Sequence, residues 1–460
     1  MRSSLALPSG RLSFGRAVGG VAGVAAAVLA GWLLVAASRL GFRMQVLLVA
    51  ALVGVPVGVY LYLTKPHVVM NAYVFVLPFL VSDPEGGVNV GEILSVGVVA
   101  GGLPLLVLGH RPVTGPIRKV ALAFLALAAL GAISVYANSV VTLPNVANGV
   151  VKYFVFAAAA ALLYAFTDDE TKAQRLMKTL VWSAAGVALY SIFEYATGRS
   201  YFPEYGYSRA SGTFEHWNQL GGYMALVSFP TIMYAVRSKT PWARLGYVGA
   251  WAAELVALLL SLTLGAMLGV AVGALAGAVL YFRRGVLKTL AATLAGVAIL
   301  GAVWQTVPEV REKFEAADTR TEDRLATYIT GAYALRDNFW IGVGAQDELL
   351  DAVLTSNRRG PSVSVVPHNA FLAIGVEKGI LGSVLLIVVV VAALRTVVGK
   401  RNLAAPANRL LVYGAGMGSI AFLTQNMTNL LLLHVRLGIV WIAFHVAAAR
   451  LSRAPEPRDA

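Results

Sequence analysis

Runs of roughly twenty apolar residues recur along this chain and constrain its fold more than any other feature. Fourteen such runs are present, at 17–37, 44–63, 67–82, 90–109, 119–137, 146–166, 176–197, 217–236, 243–260, 263–282, 286–305, 375–398, 408–429 and 433–450. A run of this length crosses the hydrocarbon core of a bilayer as an α-helix, which satisfies its own backbone hydrogen bonds. The runs do not alternate in polarity as the strands of a membrane β-barrel do.

The composition agrees with this interpretation, because 58% of the residues are hydrophobic, 13% are charged and the mean hydropathy is +0.72. Pro78 and Glu254 interrupt two of the runs, so the number of spans lies between 12 and 14. The sequence therefore predicts an all-α polytopic membrane protein. The first run follows Arg11 and Arg16 without a clear cleavage site, and we expect it to be a retained span.

The positive charges predict the topology. Although the net charge is +14, lysines and arginines occur as short clusters between apolar runs, which is typical of cytosolic loops and not of a nucleic-acid-binding surface. This asymmetry predicts a multi-pass protein of the cytoplasmic (inner) membrane with both termini in the cytosol. We divide the chain into transmembrane helices 1–11 (1–305, with an outer loop at 198–216), an extracytoplasmic loop with amphipathic helices (306–367), and C-terminal helices with a cytosolic tail (368–460).

Ionisable residues inside the apolar runs are rare, because each is costly there unless it faces protein or water. On the predicted topology Glu92, Lys152, Glu194 and Arg436 all lie in the outer half of their helices, and His434 lies near them. They predict a polar cavity that opens to the outside. The alternative is that each is an interfacial side chain that reaches for water.

Small residues predict close helix contacts. Gly265, Gly269, Gly273 and Gly277 recur every four residues along one face of a span. The segment Gly414-Ala-Gly-Met-Gly418 lies inside an apolar run and follows no strand, which favours helix contact over a nucleotide-binding loop.

The long outer loop carries the residues best suited to chemistry. A predicted helix there places Arg320, Arg324 and Tyr328 at a spacing of four on one face. Guanidinium groups bind phosphate through two parallel hydrogen bonds, so this face suits a phosphate-bearing ligand. A solvated amphipathic helix on the membrane is the alternative. The loop ends at His368-Asn369, which places a histidine at the mouth of the next span.

These residues resemble a known family. Arg324, the segment Phe339-Trp-Ile-Gly-Val-Gly344 and the spacing His368-Asn369-x9-Gly379-x2-Gly382 resemble the O-antigen ligase and O-antigen polymerase family of integral-membrane glycosyltransferases. Arg209-Ala-Ser-Gly-Thr-Phe and Asn218 are similar to its earlier outer-loop motif. The resemblance covers roughly 200–445. It implies a fold of the GT-C class, a polyprenyl-diphosphate-linked glycan as donor, inversion at the sugar, and catalysis outside the membrane without a metal or cofactor.

The chemistry of the residues agrees with that resemblance. A neutral histidine suits removal of a proton from an acceptor hydroxyl, which predicts His368 as the general base. Arginines suit the negative charge of the leaving diphosphate, which predicts Arg324, Arg209 and Arg320 as its ligands, in that order. Asn369 and Tyr328 are further candidates for the predicted outer cavity. The acceptor is a glycan, a lipid-linked glycan or a protein, and the sequence leaves this choice open.

Two other classes of function remain possible from the sequence. One is a transporter, such as a flippase for lipid-linked oligosaccharides, and the other is a membrane scaffold. Transporters place their sites near the bilayer midplane, often between internal repeats. No repeat is visible, and the polar groups lie at the outer edge.

Overall fold

The computed structural model describes residues 57–80, 90–109, 112–138, 141–202, 207–281, 317–344, 367–398 and 408–452, without the side chains of 201, 202, 207 and 317–323. The chain forms two compact units, Met1–Val69 and Met70–Ala460. In the described part of the first unit, residues 57–64 are helical. Thr64 Oγ1 donates to the carbonyl of Tyr60 at 2.7 Å near the end of this helix.

The described chain is almost entirely helical, in the order α1 (Pro66–Val76), α2 (Val90–Leu108), α3 (Gly115–Ala137), α4 (Leu143–Phe166), α5 (Glu170–Ala196), α6 (Trp217–Arg237), α7 (Pro241–Leu260), α8 (Leu264–Leu280), α9 (Ala317–Asp337), α10 (Ala370–Val398), α11 (Arg409–Asn426) and α12 (Val435–Leu451). Helix α4 contains a π-helical turn at Ala147–Val151. Short 3₁₀ turns occur at Leu77–Phe79 and Leu431–Leu433. Two-residue antiparallel strands, β1 (Tyr201–Phe202) and β2 (Tyr207–Ser208), pair Tyr201 with Ser208.

Six of the described helices, α2 to α5, α7 and α10, are long and apolar enough to cross a membrane, which confirms the predicted all-α polytopic class. The doubtful run at 243–260 is a full helix, α7. Its buried carboxylate, Glu254, accepts a hydrogen bond from Thr231 Oγ1 of α6 at 2.8 Å. The other doubtful run gives only the shorter α1 and a 3₁₀ turn. The predicted spans 17–37 and 286–305, most of 44–63 and much of the long loop lie outside the described residues.

Glycines allow three helices to pack closely, as the sequence predicts. A methyl group at Gly273 would lie 2.6 Å from the carbonyl oxygen of Met417, and one at Gly269 would collide with that of Ala421, so α8 packs against the backbone of α11. On another side of α11, Gly414 faces Pro230 and Gly418 faces Leu226 of α6. Without glycine at these positions the helices would have to separate.

Helix α10 is broken at Gly379, where φ is 72° and ψ is −177°. The segment 370–378 therefore does not continue straight into the span that follows. Ser383 Oγ donates to the carbonyl of Phe371 at 2.7 Å, and it also lies against Gly375. Residues twelve apart in a straight helix would lie about 18 Å from one another. The short segment thus folds across the start of the long one.

The segment 339–344 supplies the hydrogen bonds that the break removes from α10. Val343 N donates to the carbonyl of Val376, Gly344 N donates to that of Glu377, and each distance is 2.9 Å. In return Ile380 N donates to the carbonyl of Phe339 at 2.8 Å. Buried backbone groups need such partners in a membrane protein. The Phe339–Gly344 motif therefore acts as a backbone clamp on the break, and we call it the clamp below.

We expect Gly342→Ala to destabilise the protein more than an equally strained glycine elsewhere. Gly342 has a φ of 71°, and a methyl group there would collide with the backbone of Glu377, Lys378 and Gly379. Gly198→Ala is the matched control, because its φ is 70° and open space surrounds its Cα. The control carries only the conformational cost of about 1–2 kcal/mol. Thermal unfolding in detergent measures both variants, and equal loss of stability would show that the clamp contact carries no extra weight.

Candidate functional site

One face of α9 lies against the stretch that leads into α10. Tyr328 Oη lies 3.2 Å from the carbonyl oxygen of His368 and 2.9 Å from that of Met427. One turn further along α9, a methyl group at Gly331 would lie 2.7 Å from the ring of Pro367. The predicted face of α9 therefore does pack beside His368. Residue 320 lies in the same helix, but its side chain is outside the described residues.

His368 sits one residue before the cap of α10. Asn369 Oδ1 accepts hydrogen bonds from the backbone of Phe371 and Leu372 at 3.0 and 3.1 Å, so Asn369 caps the helix. The amide of Asn369 also donates to the carbonyl of Met427 at 3.2 Å. These contacts, together with that from Tyr328, fix the backbone that carries the imidazole.

Arg324 and His368 are electrostatic neighbours, although they are 44 positions apart in the sequence. Burial lowers the pKa of the His368 imidazole below its ordinary value, and the charge of Arg324 lowers that pKa further. Both effects disfavour the imidazolium. His368 is therefore neutral near pH 7 and able to accept a proton. Both side chains are partly exposed, so a ligand can reach them.

Met427, at the end of α11, contacts both α9 and the stretch that leads into α10. Its carbonyl oxygen lies within hydrogen-bonding distance of Tyr328 and Asn369. Gln425, two residues before Met427, donates from Nε2 to the carbonyl of Asn218 at 2.9 Å, at the start of α6. Thr263, before α8, donates to the carbonyl of Trp217 at 3.2 Å. We call this end of the helices, where α6, α8 and α12 begin and α7 and α11 finish, the site end.

Arg209 lies at the site end, but its described contacts are structural. Arg209 is 3% exposed, and its guanidinium donates to the carbonyl of Ser261 at 3.1 Å from Nε and at 2.9 Å from Nη2. Nη2 also lies 3.1 Å from the carbonyl of Leu262, a residue with a φ of 48°. The ring centre of Trp217 is 3.9 Å away. These contacts tie Arg209 to the turn between α7 and α8.

Glu194 and Arg436 are predicted cavity residues, but the structure places both against one loop, where they hold backbone and polar groups. Glu194 Oε2 accepts from the backbone of Ser211 and Gly212 at 3.2 and 2.7 Å. Arg436 donates to Glu215 Oε1 and to the carbonyl of Thr213, each at 3.2 Å, and to the carbonyl of Leu80. Because these contacts occupy both side chains, they hold the segment 211–215 in place, and neither residue lines the cavity described next.

Glu92 and Lys152 do share a cavity, of about 250 Å³, between α2, α4 and the start of α12. The side chains of Ile93, Val96, Val155 and Val435 make its walls apolar. The charges of Lys152 and Arg436 act on Glu92. His434 immediately precedes α12 and is exposed. The structure thus brings two of the predicted cavity residues together in an amphipathic pocket.

Sequence reasoning missed Lys378, the residue before the break in α10. Its side chain is 0% exposed, and Nζ donates to the carbonyl of Gly149 at 2.9 Å in the π-helical turn of α4. The ammonium also lies 4.6 Å from the ring centre of Tyr153. Lys378 therefore ties the broken helix to α4. The signal was available, because Lys378 lies inside the apolar run 375–398, where a charge is costly unless it has a partner.

Within the residues that the structure describes, no three histidine or carboxylate side chains come together as a metal site would require. The comparisons with known proteins bear on the site directly. Residues 249–387 match the model of a protein family described as O-antigen ligase. The matched stretch contains Arg324, the clamp, His368 and the break at Gly379, and it confirms the resemblance of these motifs. No curated protein matches the chain.

Proposed function

We propose, from the match of residues 249–387 to the O-antigen ligase family, that this membrane protein transfers a glycan from a polyprenyl diphosphate to an acceptor hydroxyl. The observation that carries the proposal is the packing of α9, the helix of Arg324, against the stretch that holds His368 before α10, where the charge of Arg324 acts on the imidazole. It puts a fixed positive charge next to a neutral base. Transfer from a lipid diphosphate needs these two groups, one for the leaving phosphate and one for the acceptor proton.

The reaction follows from the roles of the two side chains. The neutral imidazole of His368 takes the proton of the acceptor hydroxyl as its oxygen attacks the anomeric carbon of the donor sugar. The bond between that carbon and the diphosphate oxygen breaks, and the polyprenyl diphosphate leaves with the bonding electrons. The sugar inverts its configuration because attack and departure occur on opposite faces. Arg324 stabilises the charge that develops on the leaving oxygen.

The other residues position these two. Tyr328 and Asn369 hold the loop against Met427, and the clamp holds the bend that follows it. We place the site end outside the cytoplasmic membrane, in agreement with the distribution of lysine and arginine in the sequence. The amphipathic cavity at Glu92 and Lys152 lies beside the site end, and its apolar walls fit the lipid part of a donor or acceptor.

A reconstituted assay tests the proposal. Purified protein is incubated with a polyprenyl-diphosphate-linked oligosaccharide and, separately, with a core glycolipid, a second lipid-linked repeat or a serine-containing polypeptide. Glycan joined to one of them identifies a ligase, a polymerase or an oligosaccharyltransferase respectively. Movement of the donor across the proteoliposome membrane without any product would instead favour a transporter of lipid-linked oligosaccharides. If the protein showed neither transfer nor transport, the result would favour a membrane scaffold.

Activity in this assay should persist in excess EDTA. The positive charge next to the leaving group comes from Arg324, so the proposed reaction does not call on a cation. Initial rates with and without chelator should agree within the error of the assay. Loss of activity that added magnesium or manganese restores would show that a metal site has been overlooked.

A further inference from the structure

A basic groove lies at the opposite end of the helices from the site. It has a volume of about 450 Å³ and is lined by Gly115, Pro116, Arg118, Lys119, Leu122 and Arg395. The first five residues begin α3, and Arg395 is in the last turn of α10. Two helices that are distant in sequence thus bring three positive charges to one concave surface. The lining residues that the structure describes include no carboxylate.

The start of α3 is an unusual place for these charges. The first turn of a helix carries a partial positive charge from its unpaired N–H groups, so anions are favoured there and cations are not. The first turn of α3 contains no acidic residue, and Arg118 and Lys119 follow it directly. Without an anion, the cations and the helix terminus repel one another. A bound anion in the groove removes this repulsion.

The local geometry leaves room for such an anion. The Thr114 side chain makes no cap hydrogen bond to α3, and its hydroxyl lies 2.7 Å from Tyr164 Oη instead. Gly115 has a φ of 65°, and a methyl group on it would meet no atom within 4 Å. The backbone at the helix start therefore faces open space within the groove.

Apolar surface continues from the groove along both helices. Leu122 and Leu125 of α3 and Val388 and Val391 of α10 are exposed. Both helices are long and apolar enough to cross a membrane, so their ends lie at the depth of the lipid headgroups. A ligand with a phosphate at one end and acyl chains at the other matches this arrangement, whereas a free phosphate uses only the basic part.

We propose that this groove binds an anionic phospholipid, with its phosphate between Arg118, Lys119 and Arg395 and its acyl chains along α3 and α10. The site is separate from the proposed transfer reaction, and it needs no substrate of that reaction. A basic residue near an anionic headgroup strengthens binding by roughly fivefold, so three together contribute about a hundredfold.

Binding of fluorescent phosphatidylglycerol to the full-length protein in phosphatidylcholine nanodiscs tests the proposal. We expect the triple variant R118Q/K119Q/R395Q to bind about a hundredfold more weakly than the native chain. The matched control R175Q/K178Q/K239Q removes three exposed basic residues outside the groove and should bind as the native chain does. Each single substitution in the groove should weaken phosphatidylglycerol binding by about fivefold. The single variants therefore test the proposal even if the triple variant does not fold.

Three results would overturn the proposal. The first is equal binding of phosphatidylglycerol and fluorescent phosphatidylcholine by the native chain. The second is equal weakening in the groove variants and the control, which would indicate a general charge effect. In the third, inorganic phosphate displaces the lipid completely, and the groove is then a phosphate site without preference for lipid.

Discussion

Replacing His368 with alanine should lower the rate of glycan transfer by about 10²–10⁴-fold while the donor still binds, because general-base catalysis contributes about that much. His368→Gln should be nearly as defective, since glutamine can hold a hydroxyl by a hydrogen bond but cannot take its proton. The substitutions should leave the loop in place, because Tyr328 contacts the backbone carbonyl of His368. Exogenous imidazole should restore part of the activity of the alanine variant.

The pH dependence of the native protein gives a second measure of the same residue. The neutral imidazole is the active form, and its pKa lies below the ordinary value of 6.5. Activity should therefore hold as the pH falls to 6.5 and decline only below it. This acid limb should be absent from His368→Gln. Donor binding and turnover of the His368 variants must be measured separately. Turnover near the native rate would show that His368 is not the general base. Loss of donor binding would instead assign His368 to the phosphate site.

Arg324→Lys should lower kcat/KM by about 10²-fold although the charge is kept, because lysine cannot form the two parallel hydrogen bonds that a guanidinium gives a phosphate. Donor affinity should fall as well. Arg336→Lys is the matched control, since Arg336 lies in the same helix and pairs with Asp337 at 2.8 Å. Steady-state rates of both variants measure the loss of activity, and thermal unfolding shows whether each variant is as stable as the native protein. Native activity in Arg324→Lys would reduce Arg324 to a surface charge.

Most of the helices that the structure describes could be predicted from the sequence, because their apolar runs have the length that a bilayer demands. The run predicted at 217–236, for example, is the helix Trp217–Arg237. The run at 67–82 is an exception, since it gives only a short helix and a 3₁₀ turn. The break in α10 could not be predicted in the same way. Apolar sequence continues across Gly379, and the clamp that compensates for the break lies some 35 residues earlier and hydrogen bonds only through its backbone.

The same limit applies to the site. The spacing of Arg324 and Tyr328 predicted their common face, and the structure places that face beside His368. The contacts of Arg209 with Ser261 and Leu262 left no signal in the sequence, because any residue offers a carbonyl. The contact of Tyr328 with the Met427 carbonyl could not be predicted for the same reason. The charged residues in the sequence therefore indicated where the site end lies. They did not indicate which of these residues hold the backbone in place.

The most direct test of the central claim is to locate the donor site with a single cysteine at position 325. The chain contains no cysteine, and Leu325, next to Arg324, is 58% exposed. We expect a membrane-impermeant maleimide to label Leu325→Cys in intact cells, and a polyprenyl-diphosphate-linked glycan to slow the labelling in purified protein. Lys239→Cys, on the predicted cytosolic side, should react only after the membrane is opened. Labelling of Leu325→Cys only after permeabilisation would place Arg324 and His368 on the wrong side for the proposed reaction.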